Sequence, residues 1–342
     1  MRIWDSENFY ILQPQLDQSI SLSRLLRRGN PSAKVVAVAC KGEAGFFEAE
    51  YDAVQNIDDY GQIPEGVRVV PTGAASTEAL LALRSIVLGE IALERSALAA
   101  YDKKHFLSLC EAVGLPIPKT FDSIRNVPGE LYPIFYKEAH EQGGGKRGVA
   151  YSVEDVPRHD QGELIFQEYI DTPGTYGVGF LAKNGELLVS FSHFERESYP
   201  ATGGSAVLIE SIDDPDLIDL TSRVVKAMNY SGWGLAEFKY GKLSKSYVFM
   251  EVNAKFWASC EVAFSSQPEF AKRLFGIHVE AASAKRWFFI NRGLAHGLVY
   301  MLSRAHLLLS SRLVAMPGMG RALISSFLPA ALKALLRGRA VP

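Results

Sequence analysis

The sequence predicts a mixed fold, with an N-terminal α/β lobe, α+β lobes in the middle and a helical C-terminal extension. The chain has 342 residues, more than one hydrophobic core usually serves. Apolar residues make up 48% and charged residues 22%, which is ordinary for a globular protein and excludes a mostly disordered chain. Strands alternate with helices in the first hundred residues, whereas strand pairs dominate the middle of the chain.

The first hundred residues predict a small parallel sheet. The segment SISLSRLLRRGN is typical of a helix that ends at Gly29 and Asn30, and AKVVAVAC is typical of a buried strand. VRVVPTGA predicts another strand, stopped by Pro71, and STEALLALR predicts another helix. The glycines of this region form no G-x-G-x-x-G pattern, so no dinucleotide site is predicted here.

Two hairpins are predicted further along the chain. YGVGFLA and LLVSFS flank Asn184-Gly185, a dipeptide that favours a two-residue turn. GLAEFKY and SYVFMEVN flank a short polar loop. Because side chains alternate along a strand, Glu251 and Asn253 share one face, and Glu237 can lie opposite Glu251.

The second hairpin is a candidate metal site. Two close carboxylates repel each other, and a bound divalent cation removes that repulsion. Oxygen ligands suit Mg²⁺, which takes one or two carboxylates together with phosphate oxygens and water. The alternative is that Glu237 and Glu251 lie on a solvated face and pair with Lys239 and Lys255.

A glycine-rich stretch is a candidate phosphate site. Gly143-Gly144-Gly145-Lys146-Arg147-Gly148 follows Lys137 at the end of a strand, and glycines let backbone N–H groups approach an anion. The stretch lacks the Lys-Ser/Thr of a Walker sequence, and a surface turn is the alternative. Asp102-Lys103 begins a helix, where solvated charges are the simpler explanation.

In order and spacing, these motifs resemble the ATP-grasp superfamily, and within it the carbamoyl-phosphate-synthase-like branch of carboxylate ligases. The resemblance covers roughly residues 95–280. The ordered set is Asp102-Lys103, Lys137, the loop 143–148, Phe166-Gln167-Glu168-Tyr169-Ile170, the loop 202–204, Glu237 and Glu251-Val252-Asn253.

The resemblance implies a role for each matching residue. Lys103 and Lys137 would contact the nucleotide. Glu237 and Glu251 would hold Mg²⁺, or Mn²⁺ in its place, with Glu251 bridging two ions and Asn253 completing the second. The residues implied to close over the phosphates or to form the adenine-binding hinge are Gly143, Gly144, Gly145, Lys146, Gly148, Gln167, Glu168, Tyr169 and Ile170. The implied reaction is phosphorylation of a small-molecule carboxylate by ATP to an acylphosphate, followed by attack of an amine or another nucleophile.

The resemblance also implies a division of the chain. Residues 1–94 would form a Rossmann-like lobe, 95–180 the small lobe with the glycine loop, and 181–280 the large lobe with the metal site. Residues 281–342 would form a basic helical extension.

The acceptor side departs from the family pattern. Lys255 follows Asn253 where relatives commonly have Arg, and Lys cannot repeat the bidentate grip of a guanidinium group. Arg196 lies between Glu195 and Glu197, which replace arginines often found there. We expect Lys255 and Arg196 to act in catalysis. The alternative is a nucleotide-binding regulatory or scaffold protein that has lost acceptor chemistry.

Charge is distributed unevenly along the chain. Residues 281–342 contain nine Lys or Arg and no Asp or Glu, a formal charge of +9, which leaves −11 on residues 1–280 for a total of −2. A peripheral contact with anionic membrane is one explanation. We favour the other, a helical extension that packs on the N-terminal lobe or at a homodimer interface. Nucleic acid is not expected as a partner of this segment. Its aromatic residues cluster at Trp287-Phe288-Phe289 and do not alternate with the basic residues, as they would on a nucleic-acid-binding surface.

Composition also indicates the compartment. Cys40, Cys110 and Cys260 are too few and too scattered for a disulfide framework. Asp5 and Glu7 interrupt the N-terminus where a signal peptide needs an apolar run, and no window offers about 18 uninterrupted apolar residues. We therefore expect a cytoplasmic protein, with peripheral attachment to the inner membrane surface as the alternative.

Overall fold

The computed structural model describes residues 4–43, 45–141, 143, 145–157, 162–200 and 204–317. In chain order, the strands are β1 (Phe9–Leu12), β2 (Val35–Cys40), β3 (Ala53–Ile57), β4 (Arg68–Pro71), β5 (Ile86–Leu88), β6 (Ile91–Leu93), β7 (Thr120–Phe121), β8 (Ile134–Glu138), β9 (Arg147–Ala150), β10 (Leu164–Glu168), β11 (Thr175–Lys183), β12 (Glu186–Tyr199), β13 (Ser205–Ser211), β14 (Gly232–Gly241), β15 (Ser246–Asn253), β16 (Arg286–Phe289) and β17 (Arg312–Val314). The helices are α1 (Asp17–Gly29), α2 (Ala74–Leu83), α3 (Lys103–Ala112), α4 (Pro215–Ala227), α5 (Cys260–Ser266), α6 (Glu269–Phe275), α7 (Ile290–His296), α8 (Leu298–Ser303) and α9 (Ala305–Ser310).

The described chain divides into two compact units. The first comprises the residues up to Ser192 together with Asp213–Ala282. The second comprises His193–Ile212 and the residues from Ser283 onward. The second unit therefore begins within β12.

The N-terminal part of the first unit contains a parallel sheet with the strand order β3-β2-β1-β4. β2 is buried along almost its whole length, as expected for a parallel strand covered on both faces. The predicted parallel strands and the helices α1 and α2 are confirmed. The Rossmann-like description of this part stays a prediction.

A second sheet of the first unit carries the segments around the glycine-rich stretch. Its order is β7-β10-β8-β9, and all its pairs are antiparallel. Its apolar face packs into a core of Ile124, Ile134, Leu164 and Phe166. Burial of these side chains fixes β8, and with it Lys137, in the middle of the sheet.

The two predicted hairpins lie in a third sheet of this unit, in which β15, β14, β11 and the first part of β12 follow one another. Asn184 and Gly185 have φ values of 52° and 77°, which the two-residue turn between β11 and β12 requires. In the second hairpin, Glu237 pairs with Glu251, and the register shifts directly after this pair. Met250 is the extra residue of the resulting β-bulge.

The second unit corrects the prediction of a helical extension. Residues 286–289 form β16, which pairs antiparallel with β13, and β17 adds to β16 in parallel. Trp287, Phe288 and Phe289 are almost fully buried. The apolar residues around this segment suit a helix as well as a strand, and the pairing with β13 selects the strand. The short helices α7, α8 and α9 lie between the two strands.

The remainder of the predicted extension, residues 318–342, lies outside the described residues. Within the described part, no helix is both long enough and apolar enough to cross a membrane.

Candidate active site

Three lysines of the first unit are almost completely buried. Lys103 begins α3, Lys137 lies on β8, and Lys255 follows β15; their exposed fractions are 6%, 8% and 9%. An ammonium group loses its hydration on burial and requires compensating partners. These partners define the site.

Glu141 is the partner of two of these lysines. Its Oε2 lies 2.8 Å from the Nζ of Lys103, and its Oε1 lies 2.9 Å from the Nζ of Lys255. The backbone N–H of Gly143 donates to the same Oε1 at 2.9 Å. One carboxylate therefore connects the start of α3, the glycine-rich stretch and the end of β15.

Lys137 binds the edge of the second hairpin. Its Nζ lies 2.7 Å from Oε2 of Glu251 and 3.4 Å from the carbonyl oxygen of Met250. Met250 is the bulged residue, and a bulge disrupts the local ladder of backbone hydrogen bonds. The bulge thus supplies a carbonyl acceptor beside the Glu251 carboxylate.

The predicted metal ligands are brought together on this hairpin. Glu237 lies opposite Glu251 in the strand pairing. Asn253 is two residues beyond Glu251, and its Oδ1 accepts a hydrogen bond of 2.6 Å from the Nζ of Lys255. The alternative of a solvated face paired with Lys239 and Lys255 does not hold for Glu251, because Glu251 pairs with Lys137. The ammonium group of Lys239 donates a hydrogen bond of 2.7 Å to the hydroxyl oxygen of Thr175.

This donor set fits Mg²⁺. Two carboxylates and an amide supply only oxygen ligands, and Mg²⁺ usually takes one or two carboxylates with the rest of its shell from substrate and water. No cluster of three or more His, Cys, Asp or Glu side chains suited to a metal occurs in the described part of the chain. With two carboxylates and one amide, the hairpin leaves ligand positions of such an ion open to water or to substrate oxygens.

Electrostatics keep the buried carboxyl groups ionised. Burial alone would raise the pKa of Glu251, but the charges of Lys137 and Lys103 and the hydrogen bond from Lys137 hold this pKa well below its usual value. Burial would also raise the pKa of Glu141, yet the charges of Lys255 and Lys103 lower it to about 2. Both groups therefore meet the lysines as ion pairs at neutral pH.

Local backbone contacts hold Lys103 in place. The side chain of Asp102 caps α3 by accepting from the N–H groups of Lys104 and His105, as predicted for a helix start. The N–H of Lys103 donates to the carbonyl oxygen of Ala139 at 2.9 Å. The position of Lys103 is thus fixed both by its own helix and by the segment that follows β8.

In the glycine-rich stretch the backbone conformation favours glycine at one position, and two other glycines are closely packed. Gly143 has a φ of 79°, in the left-handed region. A Cβ atom on Gly145 would collide with the carboxylate of Glu138. A Cβ atom on Gly148 would lie 2.6 Å from the hydroxyl oxygen of Tyr136. The side chain of Lys146, between these glycines, is exposed. Gly144 lies outside the described residues.

The predicted hinge begins within the last two residues of β10 and continues beyond it. Gln167 is buried, and its Nε2 donates to Oγ1 of Thr120 at 3.0 Å. The N–H of Glu168 donates to the carbonyl oxygen of Lys119 at 3.0 Å. Tyr169 is exposed and Ile170 is half-buried.

Arg196 belongs to the second unit. Its Nη2 lies 2.8 Å from Oε2 of Glu210, which also pairs with Arg286 at 2.9 Å. Of the predicted loop 202–204, residues 202 and 203 lie outside the described residues. The catalytic role of Arg196 remains a prediction.

Two elements of the site had not been predicted. Glu141 is an acidic residue two positions before a basic, glycine-rich stretch, and this contrast is a signal that could have identified it. The carbonyl of Met250 could not have been identified, because SYVFMEVN carries no mark of a bulge.

The fold of the chain resembles those of several solved enzymes. Biotin carboxylase from Campylobacter jejuni, solved as a β,γ-ATP complex, gives a TM-score of 0.59 at 15% identity, over 80% of this chain and 72% of that chain. L-amino acid ligase from Bacillus licheniformis gives a TM-score of 0.54 at 13% identity, over 80% and 75%.

Pyruvate carboxylase from Rhizobium etli gives a TM-score of 0.59 at 14% identity over 77% of this chain. The matched region spans only 28% of that longer enzyme. No protein-family model matches the sequence. No curated protein sequence matches it either.

Proposed function

Because the chain has the ATP-grasp fold, we propose that it is an ATP-dependent carboxylate ligase that forms a carbon–nitrogen bond. The observation that carries the proposal is the buried cluster of Lys103, Lys137 and Lys255 with the carboxylates of Glu141, Glu237 and Glu251. Buried charges that balance one another in a site are expensive to maintain for stability alone. Their residue types suit the binding of a metal-bound polyphosphate.

In this proposal the lysines bind the nucleotide. Lys103 and Lys137 donate to the phosphates, and backbone and side-chain contacts already place the two lysines in the site. Backbone N–H groups of the glycine-rich stretch cover the β- and γ-phosphates. The backbone from Gln167 to Ile170 meets the adenine ring.

Glu237, Glu251 and Asn253 would hold Mg²⁺, with Mn²⁺ as a substitute. A metal ion bound there would neutralise charge on the phosphoryl group during transfer. The strand pairing supports this role, because it already places the two carboxylates opposite each other.

The proposed reaction has two steps. An oxygen of the substrate carboxylate attacks the γ-phosphorus of ATP, the bond to the β-phosphate oxygen breaks, and ADP leaves. An amine then attacks the acyl carbon, inorganic phosphate leaves, and the amine loses a proton. Lys255 donates to the phosphoryl group during its transfer and to the acylphosphate that results. Exclusion of water protects the acylphosphate from hydrolysis.

The test is ADP release from ATP and Mg²⁺ by the full chain, measured across panels of carboxylic acids and amines. Hydroxylamine in place of the amine converts an acylphosphate into a stable hydroxamate. We expect at least one carboxylic acid to stimulate ADP release. In Glu251→Gln we expect a loss on the order of 10²–10³-fold, because transition-state charge stabilisation is removed.

Glu186→Gln is the matched control, because Glu186 is exposed at the turn between β11 and β12, and we expect it to retain wild-type turnover. ADP release that needs no carboxylate, or that survives in Glu251→Gln, would contradict the proposal. Tight nucleotide binding without transfer to any acceptor would favour the regulatory or scaffold alternative.

A further inference from the structure

Glu141 occupies an unusual position among the charged residues of the site. It is the common acceptor for two buried ammonium groups, those of Lys103 and Lys255, and its own side chain is only 14% exposed. The two lysines belong to segments about 150 residues apart in sequence. A single carboxylate therefore neutralises cations that come from two different parts of the first unit.

The chemistry of these contacts is that of phosphate binding. Lysine ammonium groups donate to anionic oxygens, and a carboxylate offers two such oxygens where a phosphoryl group offers three. The N–H of Gly143 donates to the same carboxylate oxygen as Lys255 does. Glu141 thus takes up two side-chain donors and one backbone donor of the kinds that a polyphosphate needs.

Charge balance makes simultaneous binding unfavourable. The cluster contains three lysines and three glutamates, so its formal charge is zero with Glu141 in place. A polyphosphate beside Glu141 would add negative charge at short range to a buried carboxylate, and like charges in a buried site repel strongly. Either the phosphate or Glu141 can therefore pair with the two lysines, but not both at once.

We propose that Glu141 competes with the nucleotide phosphates for Lys103 and Lys255, so that Mg-ATP binds only when this carboxylate leaves the two lysines. The inference rests on the proposed nucleotide site and adds a residue that sets its affinity. Departure of Glu141 also frees the N–H of Gly143, so the same step releases a backbone donor. Until then, Glu141 keeps both lysines paired and ordered.

The test is the affinity of the full chain for the β,γ-methylene analogue of ATP with Mg²⁺, measured by calorimetric titration. We expect Glu141→Gln to bind the analogue about tenfold more tightly, because a neutral amide holds two ammonium groups less strongly than a carboxylate does. We expect Glu141→Asp to bind about threefold more tightly, because its shorter side chain cannot span both lysines.

Glu141→Asp separates two effects on affinity: the displacement of the carboxylate from the lysines, and the net charge of the site. The variant keeps the negative charge but holds the lysines less well. Glu130→Gln is the control for loss of one negative charge, since Glu130 is exposed, and we expect wild-type affinity. Thermal unfolding supplies a second readout: Glu141→Gln should unfold at a lower temperature and yet bind more tightly. A purely structural role would weaken both stability and binding.

The outcomes are distinguishable. Tighter binding by Glu141→Gln together with wild-type affinity in Glu141→Asp would reduce the effect to net charge and overturn the proposal. Unchanged or weaker binding by both variants, with normal binding by the wild type, would overturn it and leave the nucleotide site standing. Absence of binding by the wild type and by both variants would overturn the proposed function as well.

Discussion

The carboxylate of Glu141 lies 2.9 Å from the ammonium group of Lys255, although 114 positions separate the two residues. This contact joins the segment after β8 to the end of β15, and so connects the glycine-rich stretch with the hairpin of Glu237 and Glu251. The site is therefore one charge-balanced network, in which a change at any member alters the partners of the others.

Acid should weaken this network in a defined range of pH. The pKa of Glu141 falls from its ordinary value of 4.5 to about 2 on folding, so its contribution to stability is present above pH 4.5 and is lost as the pH falls toward 2. We expect the wild type to be more stable than Glu141→Gln by on the order of 2 kcal/mol at pH 6. Denaturant unfolding at pH 6 and at pH 3 should show this difference shrinking in acid. A constant difference would contradict the assignment.

Removal of Lys137 should destabilise the chain far more than removal of a surface lysine. Lys137→Ala leaves the Glu251 carboxylate buried without its nearest cation, a loss of about 3–5 kcal/mol. Lys242→Ala is the matched control: its ion pair with Asp171 is 2.8 Å long, close to the 2.7 Å of the Lys137 pair, but both of its side chains are more than half exposed. We expect it to cost at most about 1 kcal/mol. Equal losses in urea unfolding would show that the Lys137 pair is not buried in solution.

Gly179 on β11 should not tolerate a side chain. A Cβ atom there would collide with the ring of Trp257, which is 5% exposed and lies two residues after Lys255. We expect Gly179→Ala to lose about 1–3 kcal/mol of stability through overpacking. Gly129→Ala is the control, because no atom lies within 4 Å of its added Cβ, and we expect a change within about 0.5 kcal/mol. Comparable unfolding midpoints for the two variants would contradict the packing of Trp257.

The parts of the fold that the sequence predicted correctly are governed by local rules. Asn184-Gly185 specifies its hairpin because few other dipeptides adopt two positive φ angles, and alternation along β14 and β15 places Glu237 opposite Glu251. β3 was missed because only one of its five residues is buried, so its sequence shows no clear hydrophobic period.

Contacts between residues that are distant in sequence could not be predicted in this way. The carboxylate of Glu141 is 38 positions from Lys103, and nothing local to either residue indicates the other. The sequence predicts a helix at β16 because the apolar residues around it suit both structures, and its pairing with β13 decides between them. The order of motifs along the chain predicted the site residues, whereas tertiary contacts determine which of them meet.

The transfer of oxygen from carboxylate to phosphate tests the central claim most directly. The carboxylic acid that best stimulates ADP release is prepared with ¹⁸O in its carboxyl group and incubated with the full chain, ATP, Mg²⁺ and an amine. Attack on the γ-phosphorus followed by attack of the amine on the acyl carbon leaves one labelled oxygen in each inorganic phosphate released. We predict that one singly labelled phosphate is released for each ADP released. Unlabelled phosphate released alongside ADP would mean that water accepts the phosphoryl group, and would contradict the assignment of the chain as a carboxylate ligase.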